Sequence, residues 1–196
     1  NPLGLNMTYL YPSDVLFTHR FVVGHYRKDN KTHVARPWAI GRAGNGVGGV
    51  VSTVKDLLKY ARFHMGDGRS PSGNKIIKRK TLEAMRAKQV SAGGRGDMGI
   101  TWFIRYADDL TAYAHGGATH GQQAYFFYIP ENDFALAILT NSDDGGILTS
   151  QLFGMALESY FKIKLKLPKP LKTPQEPTGI NGRYKIGTNC FDIKAQ

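Results

Sequence analysis

Two Ser-x-x-Lys strings are the first residues whose spacing could do chemistry, because a lysine one helical turn after a serine can take the proton of a nucleophilic hydroxyl. They are Ser52 with Lys55 and Ser72 with Lys75. At about 100° per residue, Ser52 lies nearly opposite the apolar face of the helix that it begins, so we expect Ser52 and Lys55 to face solvent. Ser72 lies among glycines and a proline, which predict a loop. We therefore expect neither string to form a nucleophile.

The histidines and the single cysteine favour no metal or redox site. His115 and His120 are separated by a glycine turn, and no third ligand follows at an offset typical of zinc sites. Cys190 is the one cysteine in the sequence, so it cannot form a disulfide within the chain, and no histidine is near it in the sequence. We therefore expect no metal and no cofactor.

A glycine-rich stretch at 115–119 is the remaining candidate. It reads His-Gly-Gly-Ala-Thr and lies between two apolar runs. Glycines allow another backbone to approach closely, but glycine-rich turns are common in proteins of every kind. On its own, this stretch does not distinguish one function from another.

The composition predicts a globular domain and leaves its partner open. Of 196 residues, 41% are hydrophobic, which is enough for a core. The formal net charge of +11 fits nucleic acid, an anionic envelope polymer or simple solubility. Nucleic acid is set aside because most aromatic residues fall inside apolar runs, as do Phe126, Phe127, Tyr128 and Phe134. No run reaches the roughly 18 apolar residues of a membrane span.

Periodic apolar residues predict three helices. The first covers 53–65, with Thr53 as its N-terminal cap and Gly66 as a left-handed C-terminal cap. The others cover 80–87 and 147–161, and the last is amphipathic enough to cover a sheet. The apolar face of the first helix is expected to centre on Leu57, Leu58 and Ala61.

The rest of the core is predicted to be an antiparallel sheet flanked by helices, which makes the fold class α+β. Strands are expected at 99–106, 110–115, 122–129 and 134–141. The residue types at 130–133, Pro-Glu-Asn-Asp, favour a tight turn between the last two strands. The last three strands should therefore form a meander.

The termini of the sequence differ in character from this core. Residues 1–50 are rich in turn formers and predict a long irregular loop of the kind that forms the wall of a site. Prolines at 168–178 predict a linker. We therefore divide the chain into a main domain at 1–167, the linker at 168–178 and the start of a truncated β segment at 179–196.

Four motifs resemble those of the class C β-lactamases and penicillin-binding proteins, a superfamily of serine hydrolases. In chain order they are PLGL at 2–5, GVVST at 49–53 followed by Asp56, MGITW at 98–102, and HGGATHG at 115–121 with a later strand that ends in LTN at 139–141. Each is weak alone, but their shared order is specific. The chain resembles the C-terminal portion of such a hydrolase over residues 1 to about 161, with a β-lactamase/transpeptidase-like fold.

The resemblance implies a role for each residue of the glycine-rich stretch. His115, Gly116 and Gly117 take the place of the family's Lys-Thr-Gly triplet, and the N–H of Ala118 would be one of two oxyanion donors. Small residues would let the substrate backbone lie against this edge strand. Thr119 would contact the substrate as well.

Two further positions are expected near the substrate, and two departures leave its identity open. Asn141 should lie near the pocket mouth, and Gly48 stands where many class C enzymes carry an aromatic wall. His115 replaces the family's lysine, and Asp143 stands near a position that is often uncharged. Because an imidazole carries no permanent charge, it supplies a hydrogen bond more readily than a fixed cation for a substrate carboxylate.

The resemblance also implies where the missing chemistry lies. The family order is Ser-x-x-Lys, then Tyr-x-Asn, then the triplet, and no Tyr-x-Asn occurs in this sequence. We therefore expect the nucleophile upstream of Asn1, an isolated chain that is inactive, and partners consisting of that N-terminal portion and a small-molecule or peptide substrate.

The alternative is a non-catalytic binding or structural half that pairs with a complementary chain. Under either hypothesis an exposed sheet edge could support a homo-oligomer. The compartment stays open, although the resemblance favours a periplasmic or secreted location.

Overall fold

The computed structural model describes residues 1–36, 40–93, 96–164, 181–186 and 189–193. The chain divides into two units, 1–164 and 165–196. In the described part of the first unit the helices are α1 (Pro12–Leu16), α2 (Asn45–Gly48), α3 (Val54–Met65), α4 (Arg79–Arg86) and α5 (Gly145–Phe161). Its strands are β1 (His25–Lys28), β2 (Lys31–Val34), β3 (Val90–Ser91), β4 (Asp97–Met98), β5 (Phe103–Ala107), β6 (Leu110–Thr119), β7 (Gln122–Ile129) and β8 (Phe134–Thr140).

Six of these strands form one antiparallel sheet in the order β3-β4-β5-β6-β7-β8. Every strand therefore pairs with its neighbour in the sequence, and the predicted meander is confirmed. Helices pack against both faces of this sheet, so the predicted α+β class is confirmed as well.

Strand β7, which lies next to the edge strand β8, contributes to two apolar cores because alternate side chains of a strand point to opposite faces. On the α3 side the core consists of Ala61, Trp102, Phe126, Tyr128 and Ala137. On the α5 side it consists of Ala112, Ala114, Phe127 and Ile129, with Phe153 and Phe161 of α5 packed against them. Burying one large apolar side chain contributes about 1.5–3 kcal/mol, so these two layers stabilise the packing of the sheet against α3 and α5.

The predicted helices are confirmed, with one wrong cap. Helix α3 begins after Thr53, whose side chain accepts a hydrogen bond from the N–H of Asp56 at 3.3 Å. Gly66 ends it in an extended conformation with φ −82°, so the predicted left-handed cap is wrong. Two backbone carbonyls of the last turn accept its N–H instead. No helix in the described part of the chain is long and apolar enough to cross a membrane.

The predicted face of α3 is wrong in part. Leu58 is 41% exposed, whereas Asp56, Ala61 and His64 are buried. Two polar side chains therefore point inward. The buried face of α3 includes Asp56 and His64 and excludes Leu58. Apolar spacing alone could not show this, because it counts polar residues as outward-facing.

Two of the predicted strands have different bounds. The strand expected at 99–106 begins only at Phe103, because a tight turn precedes it. In that turn the N–H of Gly99 donates to the carbonyl of Trp102 at 2.8 Å, and Thr101 has a φ of +68°. The strand expected at 110–115 continues to Thr119.

The irregular loop expected at 1–50 contains a hairpin that the sequence did not reveal. Strands β1 and β2 pair antiparallel around Asp29 and Asn30, whose φ values of +51° and +58° form a two-residue loop. Both strands are largely polar, so they lack the apolar alternation that marks a strand.

The second unit contains the hairpin β9 (Gly182–Ile186) and β10 (Asn189–Ile193). Within the predicted β segment at 179–196 the structure therefore describes two strands. The predicted linker at 168–178 lies outside the described residues. The boundaries at 167 and 178 stay predictions.

Candidate active site

The second half of β6 is open on one side. Residues 115–119 pair with 122–126 of β7, whereas the pairing with β5 ends at Ala114 opposite Phe103. No described strand pairs with the other edge of 115–119. His115, Gly116, Gly117 and Ala118 are exposed, and Thr119 is half-buried. This edge can therefore accept an extended chain as an additional strand.

The fold itself does not require the two glycines of this strand. Neither Gly116 nor Gly117 has a positive φ. A Cβ added to Gly116 would lie 3.5 Å from the carbonyl oxygen of Ala124, and one added to Gly117 would lie 3.8 Å from the Cβ of Ala124. Both distances are ordinary van der Waals contacts, so a side chain would fit. The described part of the fold therefore does not account for these two glycines.

His115 is held at the start of this edge. Its ring packs against Phe103 with 5.7 Å between centroids, and its Nδ1 lies 2.7 Å from the carbonyl oxygen of Gly116. Because a carbonyl oxygen only accepts, Nδ1 is the donor of this hydrogen bond. Nε2 is the ring nitrogen that remains to contact a ligand.

Asn141 lies next to the β1–β2 hairpin. Its side-chain amide donates to the carbonyl oxygen of Val23 at 3.3 Å and lies 3.3 Å from Nδ1 of His25. Asn141 directly follows β8, so β7 separates it from the open edge of β6 in the sheet order. The structure thus gives Asn141 partners in the hairpin, and its place at a pocket mouth stays a prediction.

Gly48 lies at the end of α2. A Cβ added there would have one close neighbour, Cδ1 of Ile40 at 3.6 Å, and none on β6. Ile40 lines an open cleft of about 380 Å³ together with Tyr11, Ser13, Arg42 and Asn45. The structure does not bring Gly48 against 115–119, and its substrate contact stays a prediction.

Neither Ser-x-x-Lys string is built as a nucleophile and base. Lys55 is exposed as expected, but the prediction for Ser52 is wrong, because this side chain is half-buried and its Oγ lies 2.9 Å from Oγ1 of Thr8. Ser72 is exposed in a loop, where its Oγ lies 2.8 Å from that of Ser70.

Asp56 explains the burial of Ser52, since it fastens the N-terminal segment to α3. Its carboxylate accepts from the N–H of Met7 at 2.7 Å, from Thr8 at 3.0 Å and from Lys59 at 3.0 Å. Burial raises the pKa of Asp56, but the hydrogen bonds from Met7, Lys59 and Thr8 together bring it below its usual range. The role of Asp56 is therefore structural.

A second polar cluster lies in the core beneath α3. His64 is buried between the rings of Tyr60, Trp102 and Tyr128, with centroid distances of 4.5, 5.1 and 5.9 Å. Burial, followed by the charge of Arg86, lowers the pKa of His64 to about 4. Burial also raises the pKa of Tyr128. A neutral His64 thus belongs to the packing of the core, which no spacing in the sequence could reveal.

Metal ligation has no support in the described residues. No three histidine, cysteine, aspartate or glutamate side chains among them lie close enough to hold an ion. His120 stacks on Tyr26 instead, with 4.9 Å between ring centroids.

With this geometry established, comparison with known proteins identifies the family. The family model described as "Beta-lactamase" matches residues 1–151 of the chain. The chain belongs to the beta-lactamase family. The assignment of 115–117 to the family's triplet stays a prediction.

A curated protein of similar sequence supports this family assignment. The chain is 26% identical over 195 residues to penicillin-binding protein 4 of Amycolatopsis lactamdurans, an alignment that covers 95% of the chain and 50% of that protein. The chain thus spans about half the length of this curated relative.

Solved structures show the same fold. The octameric penicillin-binding protein homologue from Pyrococcus abyssi matches with a TM-score of 0.61 at 23% identity, over 72% of this chain and 31% of that one. A class C beta lactamase from Rhodobacter sphaeroides matches with a TM-score of 0.59 at 18% identity, over 80% and 51%. The predicted β-lactamase/transpeptidase-like fold is confirmed.

Proposed function

We propose that this chain supplies one wall of a serine hydrolase site, in which the acyl group of an amide or ester passes to a serine and then to water. The observation that carries the proposal is the open, exposed edge of β6 at 115–119, whose glycines the fold does not need. Membership of the beta-lactamase family supports the reaction class.

Three residues of the open edge have a role in this reaction. The substrate lies along 115–119 as an added strand, where Gly116 and Gly117 keep the way clear. When the serine oxygen bonds to the carbonyl carbon, the carbonyl oxygen becomes an oxyanion that accepts from the N–H of Ala118. Collapse of this intermediate expels the amine or alcohol, which takes up the proton that the serine hydroxyl has lost. Water then attacks the acyl-enzyme ester, the acid is released, and a proton of the water returns to the serine oxygen.

The nucleophile in this proposal comes from outside residues 1–196. Ser52 bonds to Thr8, and Ser72 lies in a loop with Ser70, so neither serine has a base beside it. The N-terminal portion of the same protein is the proposed source, and the isolated chain is expected to be inactive. Without a nucleophile, only the oxyanion and binding contributions remain.

Intact-mass measurement after incubation with a fluorophosphonate tests this assignment. The full-length protein should gain one phosphonyl adduct, whereas the 196-residue chain should gain none. A Ser52→Ala variant of the full-length protein is the matched control and should label like the wild type. Labelling of the isolated chain at Ser52 or Ser72 would overturn the assignment, and an unlabelled full-length protein would favour the non-catalytic alternative.

A further inference from the structure

Strand β5 borders the open edge of β6 at one end. The pairing of β5 with β6 stops at Phe103 opposite Ala114, and the next residue of β6, His115, begins the open edge. A strand added along 115–119 would lie on the same side of β6 as β5 does. It would therefore run in line with β5 and meet Phe103 end to end, whichever way its own chain runs.

The turn at 99–102 holds this end of β5 in place. The N–H of Ile100 donates to the carbonyl of Met85, near the end of α4, at 2.8 Å. A Cβ on Gly99 would lie 2.5 Å from the same carbonyl oxygen, so the turn packs directly on α4. Because β5 begins directly after this anchored turn, Phe103 has a fixed position at the end of the open edge.

The ring of Phe103 is not needed by the described cores. It is half-buried and belongs to neither of the two apolar clusters among the described residues. It lies beside the ring of His115, with 5.7 Å between centroids, and beside the guanidinium of Arg105, which is 5.0 Å from its centroid. The guanidinium is directed towards β4, since a Cβ on Gly96 would lie 3.0 Å from its Nη1. The two rings therefore border the open edge without a charge between them and β6.

We propose that the rings of Phe103 and His115 form a subsite for an aromatic side chain of the substrate. The inference rests on the proposed function, which places the substrate along 115–119 and its scissile carbonyl at the N–H of Ala118. His115 is three residues from Ala118, so the bound ring lies about 10 Å from the scissile carbonyl. A third ring packed on this pair gains buried area and favourable ring contacts. The substrate class is thus an extended amide or ester with an aromatic group about three residues from the cleaved bond.

Inhibition of ester hydrolysis by the full-length protein tests this subsite. The reporter substrate, p-nitrophenyl acetate, is too short to reach from Ala118 to His115. The inhibitors are acetyl-tetraglycine amide and two peptides of the same length, in which phenylalanine replaces the first or the last glycine. Four residues span about 13 Å, so in either chain direction one of the two can place its ring at His115 and still cover Ala118. That peptide should have a Ki about tenfold lower than that of the all-glycine peptide.

Variants of β5 show whether the preference depends on Phe103. Phe103→Ala should remove most of the tenfold preference, and Phe103→Leu should keep part of it because an apolar side chain remains. Tyr106→Ala is the matched control, because Tyr106 is an exposed aromatic residue of the same strand that bonds to Asp97. This control should keep the whole preference. Each Ki is compared with that of the all-glycine peptide for the same variant, so a general loss of binding cancels.

Two results would overturn the subsite. One is a wild type that binds all three peptides equally. The other is a Phe103→Ala variant that keeps the preference, since the ring would then bind elsewhere.

A direct binding measurement separates the subsite from the hydrolase assignment. The three peptides are titrated into the full-length protein, and the ring-proton NMR signals of His115 are followed. One phenylalanine peptide should shift them at about one-tenth of the concentration that the all-glycine peptide needs. If it does so but p-nitrophenyl acetate is not hydrolysed, the hydrolase assignment fails and the subsite stands. If the ester is hydrolysed and the peptides bind equally, the subsite fails and the hydrolase assignment stands.

Discussion

The two halves of β6 have the same backbone conformation and opposite surroundings. Residues 110–114 lie between β5 and β7, and Ala112 and Ala114 are buried there. Residues 115–119 have β7 on one side only, and two glycines stand among their exposed positions. The first half is thus held by the core, and it fixes the position of the second half. The outer edge of that second half has no partner among the described strands. A site built on a regular strand is positioned more accurately than one built on a loop.

Ala114→Pro should break the buried half. Ala114 is 2% exposed and lies in a strand with neighbours on both sides, where proline removes a backbone donor. The expected cost is about 3 kcal/mol or more in the free energy of unfolding. Urea unfolding of the 196-residue chain measures it, with Ala114→Gly as the variant that keeps the N–H. A proline variant as stable as the wild type would show that this half is not anchored by its ladder.

Ala118→Pro should leave the fold intact and remove the function. It deletes the N–H that the proposed mechanism assigns to the oxyanion, so kcat of the full-length protein should fall about 10²- to 10³-fold. Stability should change little, because this N–H would face the open edge. Ester hydrolysis and thermal unfolding are measured together, with Ala118→Gly as the control that retains the donor. A large loss of stability would instead place the N–H in the ladder with β7.

Acid should loosen the buried half before it affects the open edge. Tyr128, which contacts His64, pairs with Tyr113 in the first half of β6. The pKa of His64 is lowered in the folded state to about 4, so the unfolded chain takes up a proton at higher pH than the folded chain does. Stability is therefore complete above about pH 6.5 and declines as the pH falls towards 4, by at most about 3 kcal/mol.

His64→Phe should remove this pH dependence. The substitution replaces one buried ring by another, and Nδ1 of His64 has no hydrogen-bond partner among the described residues, so no bond to it is lost. Urea unfolding between pH 4.5 and 7.5 compares the two proteins. Equal slopes of stability against pH would assign the acid sensitivity to other groups.

Gly117→Val should affect binding at the open edge without affecting the fold. A Cβ at this position meets only an ordinary contact with Ala124, so stability should change by less than about 1 kcal/mol. The branched side chain would obstruct a substrate lying along the edge and raise KM about tenfold. Unchanged KM would show that the substrate does not lie there.

Sequence reasoning located the helices and strands whose apolar residues recur at regular spacing. Apolar periodicity located α3, α4 and α5, and alternation or continuous apolar runs located β6, β7 and β8. It missed β1 and β2, because a polar hairpin on the surface carries no apolar signal. It also misplaced Leu58, since the inward direction of Asp56 and His64 depends on partners distant in sequence.

The residues of the candidate site also differ in how far the sequence could predict their surroundings. The sequence pattern predicted a strand that ended at 115, and only the family resemblance implied an edge strand at 115–119, where the structure continues β6 to Thr119. Asn141 and Gly48 depend on how separate segments pack, and the structure gives them neighbours in the hairpin and at Ile40.

A crystal structure of the full-length protein after reaction with a fluorophosphonate would test the central claim most directly. The account predicts a phosphonyl group on a serine outside residues 1–196, with one phosphonyl oxygen about 2.7–3.1 Å from the backbone nitrogen of Ala118. A phosphonyl group bound to Ser52 or Ser72, or one whose oxygens lie far from Ala118, would contradict it.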